Sequence, residues 1–178
     1  MQVRLDKRAR IIADGGQAYP VDLLRDHTLV QVRQKYTDDT GELTLAPGEE
    51  TTDEVTVGGR VVFVRNTGKL CFASLQDGFT ETSNGERLQI MLSKAEVGDE
   101  SLAAWKSDVD LGDHVWVRGR VVVSRRGELS IMAAEWRLAS KALRPLPTLH
   151  KELSEETRVR RRYADLVVRE ESRQMVRT

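Results

Sequence analysis

Cysteine is almost missing from this 178-residue chain. Cys71 stands alone, so no disulfide framework holds the fold. Three histidines, His27, His114 and His150, share no spacing with one another or with a carboxylate pair. That leaves no set of ligands for a structural zinc and no metal site. Aromatic residues make up only 5%, so the core must be built from Val, Leu, Ile and Ala. No apolar run approaches the ~18 residues of a membrane span. No apolar signal-peptide core follows Met1. The chain is therefore expected to be cytoplasmic and to make no membrane contact. Net charge is missing as well: 28 Lys and Arg balance 28 Asp and Glu. This argues against an indiscriminate coat for nucleic acid but leaves room for a local basic face. There is no Gly-rich phosphate loop.

What is present falls into three stretches: 1–54, 55–140 and 141–178. In the first, Val3 to Asp14 places Leu5, Ile11 and Ile12 among Arg and Lys. It reads as a short amphipathic helix ended by Gly15-Gly16. Thr28 is a fair N-cap for a second helix carrying Leu29, Val32 and Tyr36 at helical spacing. Residues 37–54 are acidic and turn-rich, an exposed connector.

In the second stretch the apolar period changes to two. Val55, Val57, Val61, Phe63 and Val64 form a long strand around Gly58-Gly59, a pair that marks a bulge or bend. Asn66-Thr67-Gly68 turns it into a second strand with Leu70, Phe72 and Leu75. A polar loop, 77–86, leads to a third strand with Leu88, Ile90 and Leu92. Leu102, Ala103 and Trp105 lie in a short helix. Val115, Val117, Val121 and Val123 form a fourth strand with Gly119 in its middle. Leu129, Ile131, Ala133 and Trp136 form a fifth. Five strands, a helix between the third and fourth, and glycines where long strands must coil describe a mainly β fold with flanking helices. It is a five-stranded OB-fold barrel. The third stretch, 141–178, supplies a proline-stiffened linker and an amphipathic helix in which Val159, Tyr163, Leu166 and Val167 share a face beside many arginines.

An OB barrel binds oligonucleotides on the face of strands two and three. Such binding needs a ring for stacking and polar groups to read a base edge. Phe72 lies on the second strand, as a core residue by alternation with Leu70 or as a stacking residue. Gln89 faces away from the core residues of strand three. Arg65 and Lys69 flank the first turn, and Arg125 and Arg126 the last; they are phosphate or base contacts, or solvated turn residues. Glu128 accepts from a base N–H or pairs with an arginine. Asp77 caps a turn. Cys71 is a small buried hydrophobe, and Trp105, Trp116 and Trp136 serve the core or an interface.

These residues also carry a resemblance. Gly59-Arg60, Arg65, Gly68-Lys69-Leu70, Phe72 and Leu75-Gln76-Asp77 are similar to the anticodon-binding domain of bacterial class II lysyl-tRNA synthetases. Leu111-Gly112-Asp113, Arg126 to Ser130, the phrase Lys141-Ala-Leu-Arg-Pro-Leu-Pro147, Arg160 to Tyr163 and Asp165-Leu166 follow in the same order. The resemblance implies that Phe72 stacks on the central uridine of the lysine anticodon. It implies that Gln89 and Arg65 hydrogen-bond that base and that Glu128 helps read a neighbour. The partner it implies is the tRNA(Lys) anticodon stem-loop, with Lys69, Arg125 and Arg126 as RNA backbone contacts. The loop from Gly78 to Arg87 is longer than the family's usual turn, so no contact there is carried over.

No catalytic residue is expected in this chain, since the class II motifs would lie beyond Thr178. The fragment is expected to need no cofactor and to be inactive alone, as a monomer or weak dimer. The full-length homodimeric enzyme would use ATP, Mg2+ and L-lysine. A bifunctional lysylphosphatidylglycerol synthase with the same synthetase part, tethered to the membrane on its cytoplasmic side, is a second parent. A stand-alone single-stranded nucleic-acid-binding OB module and a protein-interaction barrel are the readings from other classes.

Overall fold

Alternation of buried and outward residues runs along five long strands. These are β1 (Glu50–Thr67), β2 (Leu70–Gln76), β3 (Arg87–Ser93), β4 (His114–Val123) and β5 (Leu129–Ser140). They close into a barrel in the order β1-β2-β3-β5-β4. β3 and β5 pair in parallel, and the other neighbours are antiparallel. The computed structural model describes residues 1–80, 83–84, 86–147 and 153–177. They fall into two units, Met1–Leu143 and Arg144–Thr178. Phe79–Thr80 and Ser83–Asn84 form a small ribbon between β2 and β3. Residues 81, 82 and 85 of that loop, and His150, lie outside the described residues.

The barrel interior is aliphatic, as the scarcity of aromatics requires. Val57, Val61, Cys71, Leu75, Ile90, Leu92, Val115, Val117, Val121 and Ile131 are fully buried, each side chain contributing ~1.5–3 kcal/mol. Burial pushes the Cys71 thiol above its usual pKa. Helix α1 (Gln2–Ala13) buries none of its residues. Ile11 packs half-buried against the core, and charge adds to the hold: Lys7 bonds Asp110 at 2.8 Å, Arg10 pairs with Asp108, and Arg4 donates to the Leu111 carbonyl. Ile12, expected on its apolar face, is exposed. Helix α2 (Leu29–Lys35) starts at Thr28 with a complete capping box to Gln31 and buries Leu29 and Val32. Asp77 adds a second cap from outside, its Oδ2 accepting from the Leu29 N–H at 3.0 Å. A single helical turn, α3 (Lys94–Val97), precedes α4 (Asp99–Asp108). α4 sends Leu102 and Trp105 into the core, where Trp105 meets Trp136 edge-to-face at 5.1 Å.

Several elements depart from the sequence expectation. β1 begins at Glu50, inside the stretch read as connector, because Glu50 pairs with Val122 ahead of the regular ladder. The first turn is Gly68-Lys69, with Asn66 and Thr67 still paired in the strand. Gly58 and Gly59 sit in regular register on β4. The bulge falls just beyond them, at Val62, which has no partner between Val61↔Leu75 and Phe63↔Ser74. Gly119 is where the barrel is tightest: a Cβ there would lie 2.0 Å from the Met132 carbonyl oxygen of β5.

Lys141, assigned by the sequence to the linker, is buried. Its ammonium donates to Asp113 and Asp110 at 2.6 Å each and to the Asp108 carbonyl at 2.7 Å. Burial alone would raise the Asp110 carboxyl. Hydrogen bonds from Lys141 and Lys7 outweigh it and hold that carboxyl below its ordinary range. The buried charge is thus fully paired, the condition for tolerating it.

In the second unit, the single helix expected from 155 is three: α5 (Glu155–Arg160), α6 (Arg162–Val168) and α7 (Glu170–Arg177). Val159 and Tyr163, expected on a shared apolar face, are 80% and 57% exposed. The breaks fall at Arg161 and Arg169, and Asp165, inside α6, is fully buried. It accepts from Arg162 at 2.9 Å and from the Ser172 hydroxyl at 2.7 Å.

Candidate nucleic-acid interface

The outer face of β1, β2, β3 and β5 is organised in cross-strand rows. One row runs Arg65–Phe72–Met91–Met132. The next runs Phe63–Ser74–Gln89–Ser130. Both open into a groove of about 810 Å³, whose far wall is made by Val122 to Arg126 and Glu128.

The bulge at Val62 is what builds this face. With strict alternation from the buried Val61, both Phe63 and Arg65 would point inward. The extra residue resets the phase. Val61 and Val62 are both buried, Val64 packs on the core, and Phe63 and Arg65 turn outward. On β2 the inward residues are Cys71, Ala73 and Leu75. Leu70 and Phe72 share a face, as alternation requires, but it is the outward one. The core reading of Phe72 is therefore excluded. A strand whose buried set includes a cysteine and an alanine hides its polarity from a hydrophobicity pattern. Met91 and Met132, also in the groove, carried no signal beyond alternation.

Arg65 lies against Phe72, its guanidinium carbon 5.8 Å from the ring centroid. Gln89 is held from behind. Its Nε2 donates to the Ser130 hydroxyl at 2.8 Å, and that hydroxyl donates to the Glu128 carbonyl at 2.9 Å. Because Ser130 spends its proton on a carbonyl, it can only accept from Gln89. The amide orientation is thereby fixed, and Gln89 Oε1 remains as an acceptor. Glu128 stands at the rim, its carboxylate 3.9 Å from Arg33, beyond hydrogen-bond reach. Arg33 itself is engaged by Glu86 at 2.7 Å.

The zero net charge is unevenly distributed. On the neighbouring barrel surface Arg118 pairs with Glu54 and Glu135, and Arg120 with Glu50 and Glu96. Arg65, Arg125 and Arg126 have no carboxylate partner among the described residues, and all three line the groove. Lys69, on the exposed β1–β2 turn, does not line it. Of the other candidates, His27 is paired with Asp26. His114 is half-buried beside Arg60, and burial with that charge lowers its pKa to about 4. Trp116 bonds the Leu24 carbonyl. Among the described residues no cluster could hold a metal ion, and no helix is long and apolar enough to cross a membrane.

A closed five-stranded barrel with a helix before β4, and a cation-rimmed groove over β2 and β3, is an OB-fold nucleic-acid-binding domain. Residues 55–139 match the family model described as an OB-fold nucleic acid binding domain of the tRNA anticodon type. Across 177 residues the chain is 59% identical to a lysine–tRNA ligase of Kineococcus radiotolerans. It is 56% identical over 176 residues to one of Mycolicibacterium gilvum. Each match takes in 99% of this chain and 33% of the relative. A bifunctional lysylphosphatidylglycerol biosynthesis protein of Rhodococcus jostii is 37% identical over 177 residues, 99% of this chain and 14% of that protein. The barrel residues thus match the tRNA anticodon-type OB-fold nucleic-acid-binding family, and the chain over nearly its whole length is similar to lysine–tRNA ligases. It spans about a third of the length of the ligases it matches.

Proposed function

We propose that this chain recognises the anticodon loop of tRNA(Lys) for a lysine–tRNA ligase. The observation that carries the reading is the outward Phe72, beside the guanidinium of Arg65 and in the same groove as the acceptor of a pre-oriented Gln89. Stacking on Phe72 is worth ~1–3 kcal/mol and accepts any base, so selection falls to the polar groups. Uridine presents an N3–H where cytidine presents a lone pair. Gln89 Oε1 accepts from the first and repels the second. Arg65 donates to a uracil carbonyl. Glu128, at the rim, accepts from a neighbouring base, and Arg125, Arg126 and Lys69 meet the backbone phosphates. The longer protein would condense lysine with ATP to lysyl-adenylate and pyrophosphate, then pass the lysyl group to the tRNA 3′ end and release AMP. Lysine, ATP and Mg2+ belong to that other part, in a cytoplasmic homodimer. This chain alone is inactive in lysine-dependent pyrophosphate exchange and is a monomer or weak dimer; a tight dimer in sedimentation would contradict that. Identity of 59% and 56% to the ligases, against 37% to the bifunctional protein, favours the ligase as parent.

The test is titration of the chain and of Phe72→Ala with a lysine anticodon stem-loop at one fixed salt concentration, since phosphate contacts make binding salt-dependent. Phe72→Ala is expected to weaken binding about tenfold or more. Equal binding by the two proteins would contradict the reading.

A further inference from the structure

Phe63 has no part in the reading above. It is 52% exposed, yet it lines the groove with Arg65 and Phe72. The bulge at Val62 turns it there, away from a core that its strand neighbours occupy. A large apolar ring set outward by a bulge beside a binding face is a ligand-facing feature, since bulges next to functional sites re-aim side chains. Ser74, a small residue, stands opposite it, and Gln89 lies in the same row. Phe72 is its diagonal neighbour across β1 and β2, a relation that places side chains roughly 7–8 Å apart. Arg65 lies two residues along the same strand face and has no carboxylate partner among the described residues.

We propose that Phe63 is a second stacking platform, holding the base next to the one on Phe72. Two consecutive bases of a single strand would then lie on the two rings, as sheet-faced RNA binders hold successive bases on paired aromatics. The phosphate between them would fall near Arg65. The inference rests on the reading that Phe72 takes the central anticodon base.

The experiment titrates the chain, Phe63→Ala, Phe63→Tyr and Phe72→Ala with the lysine anticodon stem-loop at fixed salt. It adds two hairpins that are abasic at one or the other flanking anticodon position. Because Phe63 is exposed, its variants should keep the melting temperature of the parent. Phe63→Ala is expected to weaken binding of the intact hairpin about tenfold, and Phe63→Tyr to retain it. On one abasic hairpin, Phe63→Ala and the parent should bind alike. Loss with Phe72→Ala but not with Phe63→Ala overturns the second platform alone. Loss with Phe63→Ala that persists on both abasic hairpins assigns the ring to groove shape and also overturns it. No loss with either variant overturns the anticodon reading beneath it.

Discussion

Ser130 shows how a single buried hydroxyl sets the chemistry of the groove. It lies beneath Gln89, donates to the Glu128 carbonyl and so can only accept from the Gln89 amide. Ser130→Ala frees that amide to turn its N–H₂ outward, toward an acceptor such as cytidine N3. One hydrogen bond is worth ~0.5–1.5 kcal/mol net. The expected result is a roughly 2–10-fold fall in the preference for uridine over cytidine at the central anticodon position, with less change in affinity for the uridine hairpin. Ser130→Thr should restore the preference. Gln89 was legible as an outward polar residue on a strictly alternating strand. Ser130 was not, because its role comes from the parallel pairing of β3 with β5, which joins residues forty-one positions apart.

At the scale of the element, the strands and the two N-terminal helices were legible because valine-rich alternation and a Thr cap are local signals. The bulge was not. A period-two pattern carries no mark for an extra residue, and the glycine pair that seemed to mark it lies before it, in regular register on β4. The extra residue turns both Phe63 and Arg65 outward. Phe72 was ambiguous for a related reason: alternation identifies two faces but not which one is buried when Cys71 and Ala73 form the inner set. The buried Lys141 depends on ion pairs that no hydrophobic period reports. Gly119 permits β4 and β5 to meet where the barrel turns. Gly119→Ala would force a Cβ against the Met132 backbone and is expected to cost about 3 kcal/mol in urea denaturation, the upper end for overpacking. Gly78→Ala, where a Cβ meets nothing within 4 Å, should change stability by less than about 0.5 kcal/mol.

At the scale of the molecule, zero net charge still leaves a local cationic face: Arg65, Arg125 and Arg126 line the groove without a carboxylate partner among the described residues, while Arg118 and Arg120 beside it are paired. The same accounting predicts how stability responds to acid. His114 has an ordinary pKa of 6.5 and a folded value of about 4, lowered by burial and by Arg60. Below pH 6.5 the unfolded chain takes up a proton there that the folded chain refuses. Stability therefore falls as pH drops from about 6.5 toward 4, by up to about 3 kcal/mol, and this contribution is fully present above 6.5. Between pH 6.5 and 5, denaturation midpoints of His114→Gln should be flatter than those of the parent; equal slopes would show that another group titrates.

The central claim is that the groove selects a base. The measurement that tests it most directly is titration of the unaltered chain, at one fixed salt concentration, with two lysine anticodon hairpins that differ only in a central uridine or cytidine. The account predicts tighter binding of the uridine hairpin by roughly tenfold or more, about 1.4 kcal/mol. Equal affinities would show a surface that holds RNA by charge alone, and would remove the roles assigned to Phe72, Gln89 and Arg65.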